Sequence, residues 1–235
     1  MNDEVALKRL EARRQFIKKA AAGTALTVLG SGAYLLSDSF TDEAKAQRRS
    51  DGRPRLPPGQ RAIGRLKPMG GIEGEPGRGA FQLHVHGEVD RPVKLGFSDL
   101  LAMNPIRRQL DVHCVTGWSL LGSSWTGVPI RALAERVGAR RSARHVILEA
   151  FAGYEANLRI DDALDQNAMI VWELDGEPLR RANGAPVRAL VPDLYFWKSA
   201  KWLTGIRFVK RDRPGYWESR GYHNRANPWN EERHA

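Results

Sequence analysis

The chain has 235 residues and a formal net charge of +10, from 37 Lys or Arg against 27 Asp or Glu. That length fits one domain with a sizeable core. Its single cysteine, Cys114, excludes an internal disulfide, a zinc site shared by two thiolates, a C-x-x-C-H haem attachment and a Cys-ligated iron–sulfur cluster.

Arg13-Arg14-Gln15-Phe16-Ile17-Lys18-Lys19 precedes a mildly apolar run over residues 20–36, the layout of a twin-arginine export signal. The run is rich in Ala, Gly and Thr, which makes it weak as a membrane span. Ala44-Lys45-Ala46 matches a small-x-small cleavage pattern, so residues 1–46 read as a signal segment, or as an anchor if that site is not cut. Export of this kind takes a folded chain through the twin-arginine translocase to the periplasm. A free thiol in that oxidising compartment calls for shielding or coordination. The basic excess would suit nucleic acid, but no nucleic-acid module accompanies it and the expectation is no nucleic-acid partner. An acidic protein or an anionic cofactor uses the charge equally well.

Residues 47–79 form a Pro/Gly/Arg-rich arm without periodicity, wrapped or mobile. Its glycines are not a dinucleotide fingerprint, because a strand follows them rather than preceding them. Residues 80–235 carry the domain. Phe81-Gln-Leu-His-Val-His86 alternates and predicts a half-buried strand, with His84 and His86 on its polar face. No third ligand lies near that His pair, and a polar face demands none. Ser98 offers an N-cap to a short helix that ends at Asn104-Pro105. Arg107 to Val115 reads as a strand whose Leu110, Val112 and Cys114 point to the core while Asp111 and His113 point away. Thr116-Gly117 then begins a loop. Pro129 to Val137 predicts a helix with Ile130, Leu133, Ala134 and Val137 on one face and Gly138 as its stop. His145–Phe151 and Tyr154–Ile160 read as strands joined at Ala152-Gly153, and Asp161–Leu164 as a short helix. Met169–Leu174, Val187–Val191 and Trp202–Val209 complete a strand-rich, mixed α+β domain.

Three segments stand out beside the Cys114 loop. Asn183-Gly-Ala-Pro-Val-Arg188 is a turn leading into a strand. Tyr195-Phe-Trp-Lys-Ser-Ala-Lys-Trp202 follows, in which Lys198 and Lys201 could share one face of a helical turn. Gly221-Tyr-His-Asn224 lies near the tail. Arg and Lys beside a Ser supply what a buried phosphate needs, and a solvated basic loop has the same residues. Spacing does not separate the two.

His113-Cys-Val-Thr-x-Trp-Ser119, Asn183-Gly-Ala-Pro-Val-Arg188 and Phe196-Trp-Lys-Ser-Ala-Lys-Trp202, in this order behind a twin-arginine signal, resemble the sulfite oxidase superfamily. The resemblance runs from Gln60 to the C-terminus. It is strongest to the bacterial sulfite-oxidase-like molybdopterin oxidoreductases, relatives of the exported protein-methionine-sulfoxide reductase catalytic subunit. It implies a strand-rich α+β fold around one molybdenum–molybdopterin, with Cys114 as the sole protein ligand to the metal. By the same resemblance Asn183 and Arg188 hold the pterin–phosphate moiety, and Ser199, Ala200 and Lys201 contact the phosphate. His113, beside the ligand, joins the cofactor-binding set. A soft metal bound by dithiolene sulfurs suits a thiolate, which coordination deprotonates. The arm over Arg61–Gly71 does not reproduce the Asn/Tyr-rich segment of the methionine-sulfoxide reductase, and the substrate-binding Arg cluster of sulfite oxidases has no evident counterpart. The implied activity is two-electron oxygen-atom transfer on a small S- or N-oxide or its reduced form. Alternatives are repair of methionine sulfoxide in proteins and a non-catalytic cofactor-binding homologue. A chain with no haem or iron–sulfur motif needs a separate electron-transfer protein, a membrane haem protein or a cytochrome.

Overall fold

Strand-forming alternation dominates the described chain, which is residues 41–74 and 77–235 of the computed structural model. Arg13-Arg14 and the apolar run that the sequence suggests as an export signal lie outside the described residues. In chain order the elements are β1 (Arg61–Ile63), β2 (Gln82–Gly87), β3 (Val93–Gly96), α1 (Phe97–Leu101), β4 (Ile106–Cys114), β5 (Trp118–Pro129) and α2 (Ile130–Val137). They continue with β6 (His145–Ala150), β7 (Glu155–Arg159), α3 (Ile160–Ala163), β8 (Met169–Leu174), β9 (Glu177–Pro178), β10 (Arg188–Leu190) and β11 (Leu203–Val209). One sheet has the order β1-β5-β8-β10, with β4 also paired to β5 and β9 to β8. The other has the order β3-β2-β11-β6-β7. Among the paired strands of the described residues, β1 with β5 and β2 with β11 run parallel and the rest antiparallel. The strand-rich, mixed α+β fold expected from the sequence is the fold observed.

Period-two alternation sorts the side chains into two cores. On β8, Ile170 and Trp172 face a large core shared with β2, β6, β11 and the apolar stripe of α2. The alternate residues Met169 and Val171 face a smaller core with Val112, Cys114, Trp118, Leu120 and Phe196. Strand β8 is thus apolar on both faces because both faces are covered. Each fully buried Leu, Ile or Val side chain contributes about 1.5–3 kcal/mol. Where β5 crosses β8, the ladder slips between Thr126 and Gly127. A Cβ on Gly127 would stand 1.9 Å from the Ile170 carbonyl oxygen, so only glycine permits the approach.

Three expectations need correction. The segment after Thr116-Gly117 is not a loop but the return strand β5, which pairs Trp118 with Cys114 and Ser119 with His113. Its Gly122, Ser123, Ser124 and Gly127 hide the strand pattern. The cap of α1 is Gly96 rather than Ser98, and the Asp99 carboxylate accepts from the Gly96 N–H at 2.8 Å. Strand β4 bulges between Leu110 and Val112, although Val112 and Cys114 still reach the small core.

The arm wraps the molecule. Residues 41–46 are helical, and the Thr41 hydroxyl accepts from the Ala62 N–H at 3.2 Å. Ala44, inside the Ala44-Lys45-Ala46 pattern, is buried. Arg55 then forks onto Asp111 of β4 through two hydrogen bonds of 2.8 and 2.9 Å. Burial pushes the Asp111 carboxyl up, yet Arg55 and the Gly122 N–H hold it below the usual carboxylate range. The C-terminal tail is fastened from inside. Lys198, with no exposed side-chain surface, pairs with the buried Glu218 at 2.6 Å. It also donates to Asn157 Oδ1 at 2.7 Å and to the Asn224 carbonyl at 2.7 Å. Removing the charge from one side of a buried pair strands the other. Glu218→Gln is expected to destabilise the protein by about 3–5 kcal/mol. Denaturant midpoints compared at equal slope check this, and a midpoint matching wild type would show that the Asn groups alone neutralise Lys198.

Candidate active site

Cys114 ends β4 where Val115-Thr116-Gly117 turns the chain into β5. Gly117, at φ +85°, supplies the left-handed residue of that three-residue turn. Cys114 is 6% exposed, and among the described residues its thiol makes one hydrogen-bond contact, with Thr116 Oγ1 at 3.2 Å. The Cys114 carbonyl accepts from Gln60 Nε2 at 3.0 Å, so the arm holds the turn from outside the sheet.

His113 points away from the Cys114 thiol, to the opposite face of β4, where arm and tail bury it fully. Ser119 Oγ donates to Gln60 Oε1 at 3.1 Å, an atom that can only accept. The Ser119 proton is therefore committed, and the 2.8 Å contact between His113 Nδ1 and Ser119 Oγ is donated by the imidazole. That fixes the tautomer, with Nε2 as a buried acceptor lacking a partner among the described residues. Burial lowers the His113 pKa to about 4, so the ring is neutral at neutral pH. Trp229 of the tail meets it edge-on at 5.1 Å, itself covered by Arg53 at 3.9 Å.

The second group gathers around β10. The Arg188 side chain is buried and donates to three carbonyls: Asn183 at 2.9 Å, Ser199 at 2.7 Å and Ala189 at 3.2 Å. No carboxylate pairs with it among the described residues, and desolvation lowers its pKa to about 9. Lys201 donates to the carbonyls of Met69 and Ala182 at 3.0 and 3.1 Å and likewise has no carboxylate partner among the described residues. Desolvation first, and Arg188 second, lower it to about 8. Gly184 lies between them at φ +105°, where a Cβ would stand 3.0 Å from the Cβ atoms of both Arg188 and Lys201. The Asn183 Oδ1 atom is buried and has no hydrogen-bond partner among the described residues. Ser199 and Ala200 brace the strand: the Ser199 hydroxyl accepts from the Val191 N–H at 2.9 Å, and the Ala200 carbonyl accepts from the Ala189 N–H at 2.8 Å. Ser199 retains its own proton to donate.

Phe196 connects the groups. Its ring lies in the small core with Cys114, 6.1 Å from Trp118, and Arg188 stacks over it at 4.2 Å. The structure therefore brings together Cys114, Asn183, Arg188, Ser199, Ala200 and Lys201, and sets His113 behind the strand. It separates Lys198 from Lys201, contrary to the shared face that spacing suggested. A 3-10 turn at Phe196–Lys198 sends Lys198 inward to Glu218 and leaves Lys201 facing the arm. Gln60, Ser119 and Arg233, which donates to the Val115 carbonyl and lies 5.2 Å from the Tyr195 ring, also shape the site. They lie far from Cys114 in sequence or carry no pattern. A buried Arg188 and a half-buried Lys201 that form no ion pair among the described residues, an amide oxygen without a partner there, and a soft thiol are what an anionic group with a soft metal would satisfy. The residues present fit molybdenum–molybdopterin.

Comparison with known proteins agrees. The family described as oxidoreductase molybdopterin binding domain matches residues 72–217. The chain is similar to the uncharacterized oxidoreductase YuiH of Bacillus subtilis, 41% identical over 188 residues that cover 79% of this chain and 95% of that one. It is similar to the protein-methionine-sulfoxide reductase catalytic subunit MsrP of Ralstonia nicotianae, 32% identical over 169 residues, 63% of this chain. That match takes in 51% of MsrP, so this chain spans about half the length of such relatives. The fold is similar to that of the sulfane dehydrogenase SoxCD from Paracoccus pantotrophus, with a TM-score of 0.53 and 18% identity over 58% of this chain and 40% of that one. The family match over most of the domain, together with the likeness to YuiH along most of both chains, means that this chain belongs to the oxidoreductase molybdopterin binding domain family: it is a molybdopterin-dependent oxidoreductase of the sulfite oxidase type.

Proposed function

We propose that this enzyme is exported to the periplasm and moves an oxygen atom to or from sulfur or nitrogen in a small S- or N-oxide. The observation that carries the reading is the lone thiol of Cys114 joined, through Phe196, to the buried Arg188, which has no carboxylate partner among the described residues and has Lys201 beside it across Gly184. When bound, molybdenum–molybdopterin supplies a two-electron centre that gives or accepts an oxygen atom. Cys114 offers the soft donor for that metal, and the apolar shell of Leu66, Trp118 and Phe196 excludes water from it. Arg188, Lys201 and Asn183 hold the anionic end, with the Ser199 hydroxyl as a further donor. His113 carries its proton on Nδ1 toward Ser119 and holds no charge at neutral pH, so it fixes the β4–β5 turn rather than neutralising the thiolate. A separate haem protein, bound to the membrane or soluble, exchanges single electrons with the site. Membership of an oxidoreductase family sets aside the non-catalytic reading.

A second reading has a specific observation in its favour. The curated relatives include MsrP, whose name assigns it methionine sulfoxide in proteins. Turnover driven by reduced viologen separates the two: activity on dimethyl sulfoxide or trimethylamine N-oxide supports the first, and activity confined to an oxidised protein supports the second.

Cys114→Ser is expected to keep the circular dichroism spectrum and lose most of the molybdenum, because a hydroxyl is a poorer donor to a soft metal. A Ser variant with full metal content and full activity ends the ligand assignment. Arg188→Ala and Lys201→Ala each remove a charge-assisted contact of about 1.5–3 kcal/mol. Pterin occupancy, measured by fluorescence of the oxidised cofactor, should fall while turnover per bound molybdenum persists. Full occupancy with collapsed turnover would reassign both residues to substrate. Replacing Arg13 and Arg14 together by Lys should hold the precursor in the cytoplasm, and an unchanged periplasmic yield on fractionation would refute twin-arginine export.

A further inference from the structure

A series of touching aromatic rings runs from the neighbourhood of Cys114 to the surface of the tail. Tyr195 is buried, and its backbone bridges to His113, next to Cys114. Its ring stacks on Trp197 at 5.3 Å and 14°. Trp197 meets Tyr222 edge-on at 5.1 Å. Tyr222 touches Trp217 at 4.8 Å and His234 at 5.0 Å, and Trp217 touches Tyr216 at 5.2 Å. Tyr216 is 40% exposed, so the series begins in the core and ends in solvent. Fastening the tail does not require it, because Lys198, Glu218 and Asn157 already do so from beneath.

The charge at the outer end has one sign to spare. Each acid of the tail is engaged: Glu218 with Lys198, Glu231 with Arg233, Glu232 with His223, and Asp212 with Asn157 and Asn224. Arg220 forms no ion pair among the described residues and lies 3.7 Å over the exposed Tyr216 ring. A face of this kind attracts an acidic protein and speeds its encounter.

We propose that the face formed by Tyr216, Trp217 and His234, with Arg220 over it, docks an acidic haem protein, and that the Tyr195–Trp197–Tyr222 contact couples that protein to the site at Cys114. This rests on the oxygen-transfer reading above. Reduction of one S-oxide to its sulfide and water takes two electrons and two protons. Two ferrous haems give one electron each and become ferric, and solvent supplies the protons; the opposite direction reverses every term. The rings are neither oxidised nor reduced. They fill the path with packed atoms, which carry a tunnelling electron better than water over the same span.

The test uses the full chain with its cofactor and an acidic c-type cytochrome. Quenching of tryptophan fluorescence by the haem reads binding. Arg220→Glu should weaken binding about tenfold at low salt, with the difference shrinking as salt is added. Tyr222→Leu and Tyr222→Phe should bind as wild type does. Stopped-flow oxidation of the ferrous cytochrome by the enzyme should then slow several-fold in Tyr222→Leu and recover in Tyr222→Phe, which keeps the ring. Viologen-driven turnover should match wild type in all three variants. Binding unaffected by Arg220→Glu overturns the docking face, and haem oxidation unaffected by Tyr222→Leu overturns the coupling. If Tyr222→Leu does not fold, the binding titration with Arg220→Glu still decides the docking face, and the same stopped-flow measurement on Tyr222→Met, which loses the ring but keeps an unbranched side chain, decides the coupling. Loss of viologen-driven turnover in the wild type would instead sink the oxygen-transfer reading and leave the binding result standing.

Discussion

Burying a guanidinium without a carboxylate is the constraint on which this site depends. Desolvating Arg188 costs several kcal/mol, and three backbone carbonyls offset only part of it. Those carbonyls come from the Asn183 turn, from β10 itself and from the turn at Ser199, so all three segments must be in place before the cation is tolerated. Stacking on Phe196 ties the same cation to the core that contains Cys114. An anionic ligand between Arg188 and Lys201 would complete what the carbonyls begin. A cofactor that seats its anion there would relieve an existing electrostatic cost.

The six-stranded sheet lets this happen near a protected thiol. One of its faces builds the large core and gives the domain its stability. The other carries the small core, where Cys114 sits at the end of a strand rather than in the middle. Strand ends are where side chains leave the ladder and ligands can approach. The cover over this end is made from the two parts of the described chain most distant in sequence. The arm supplies Arg55 and Gln60, and the tail supplies Trp229 and Arg233. Both reach the β4–β5 turn, which explains why His113 is buried although it faces away from the core. A neutral imidazole with a fixed tautomer is the consequence of that cover.

The proposed export, the single redox site and the basic tail are consistent with one another. A domain with no second redox motif must exchange electrons through its surface, and the tail offers a surface that is aromatic, cationic and in ring-to-ring contact with Tyr195. The same Lys198 that fastens the tail lies three residues beyond Tyr195 in sequence. Fastening and coupling are thus parts of one short segment.

Several features could be read from the sequence alone. Alternation revealed the strand over Phe81–His86 and the apolar stripe of α2, because periodicity is local and burial follows it. The three motifs pointed to the family, and parity along β4 placed Cys114 toward the core. Other features were decided only in three dimensions. Strand β5 escaped notice because its glycines and serines are loop residues by composition, and its pairing with β4, β1 and β8 is what makes them strand. Asp111 and Arg55 give no sign of each other across the intervening chain. Lys198 and Lys201 look equivalent in sequence, yet a 3-10 turn sends one to Glu218 and the other to the arm. That Arg188 lacks a counter-charge among the described residues could not be known from its neighbours in the chain, because the absence of a partner is a property of everything packed around it.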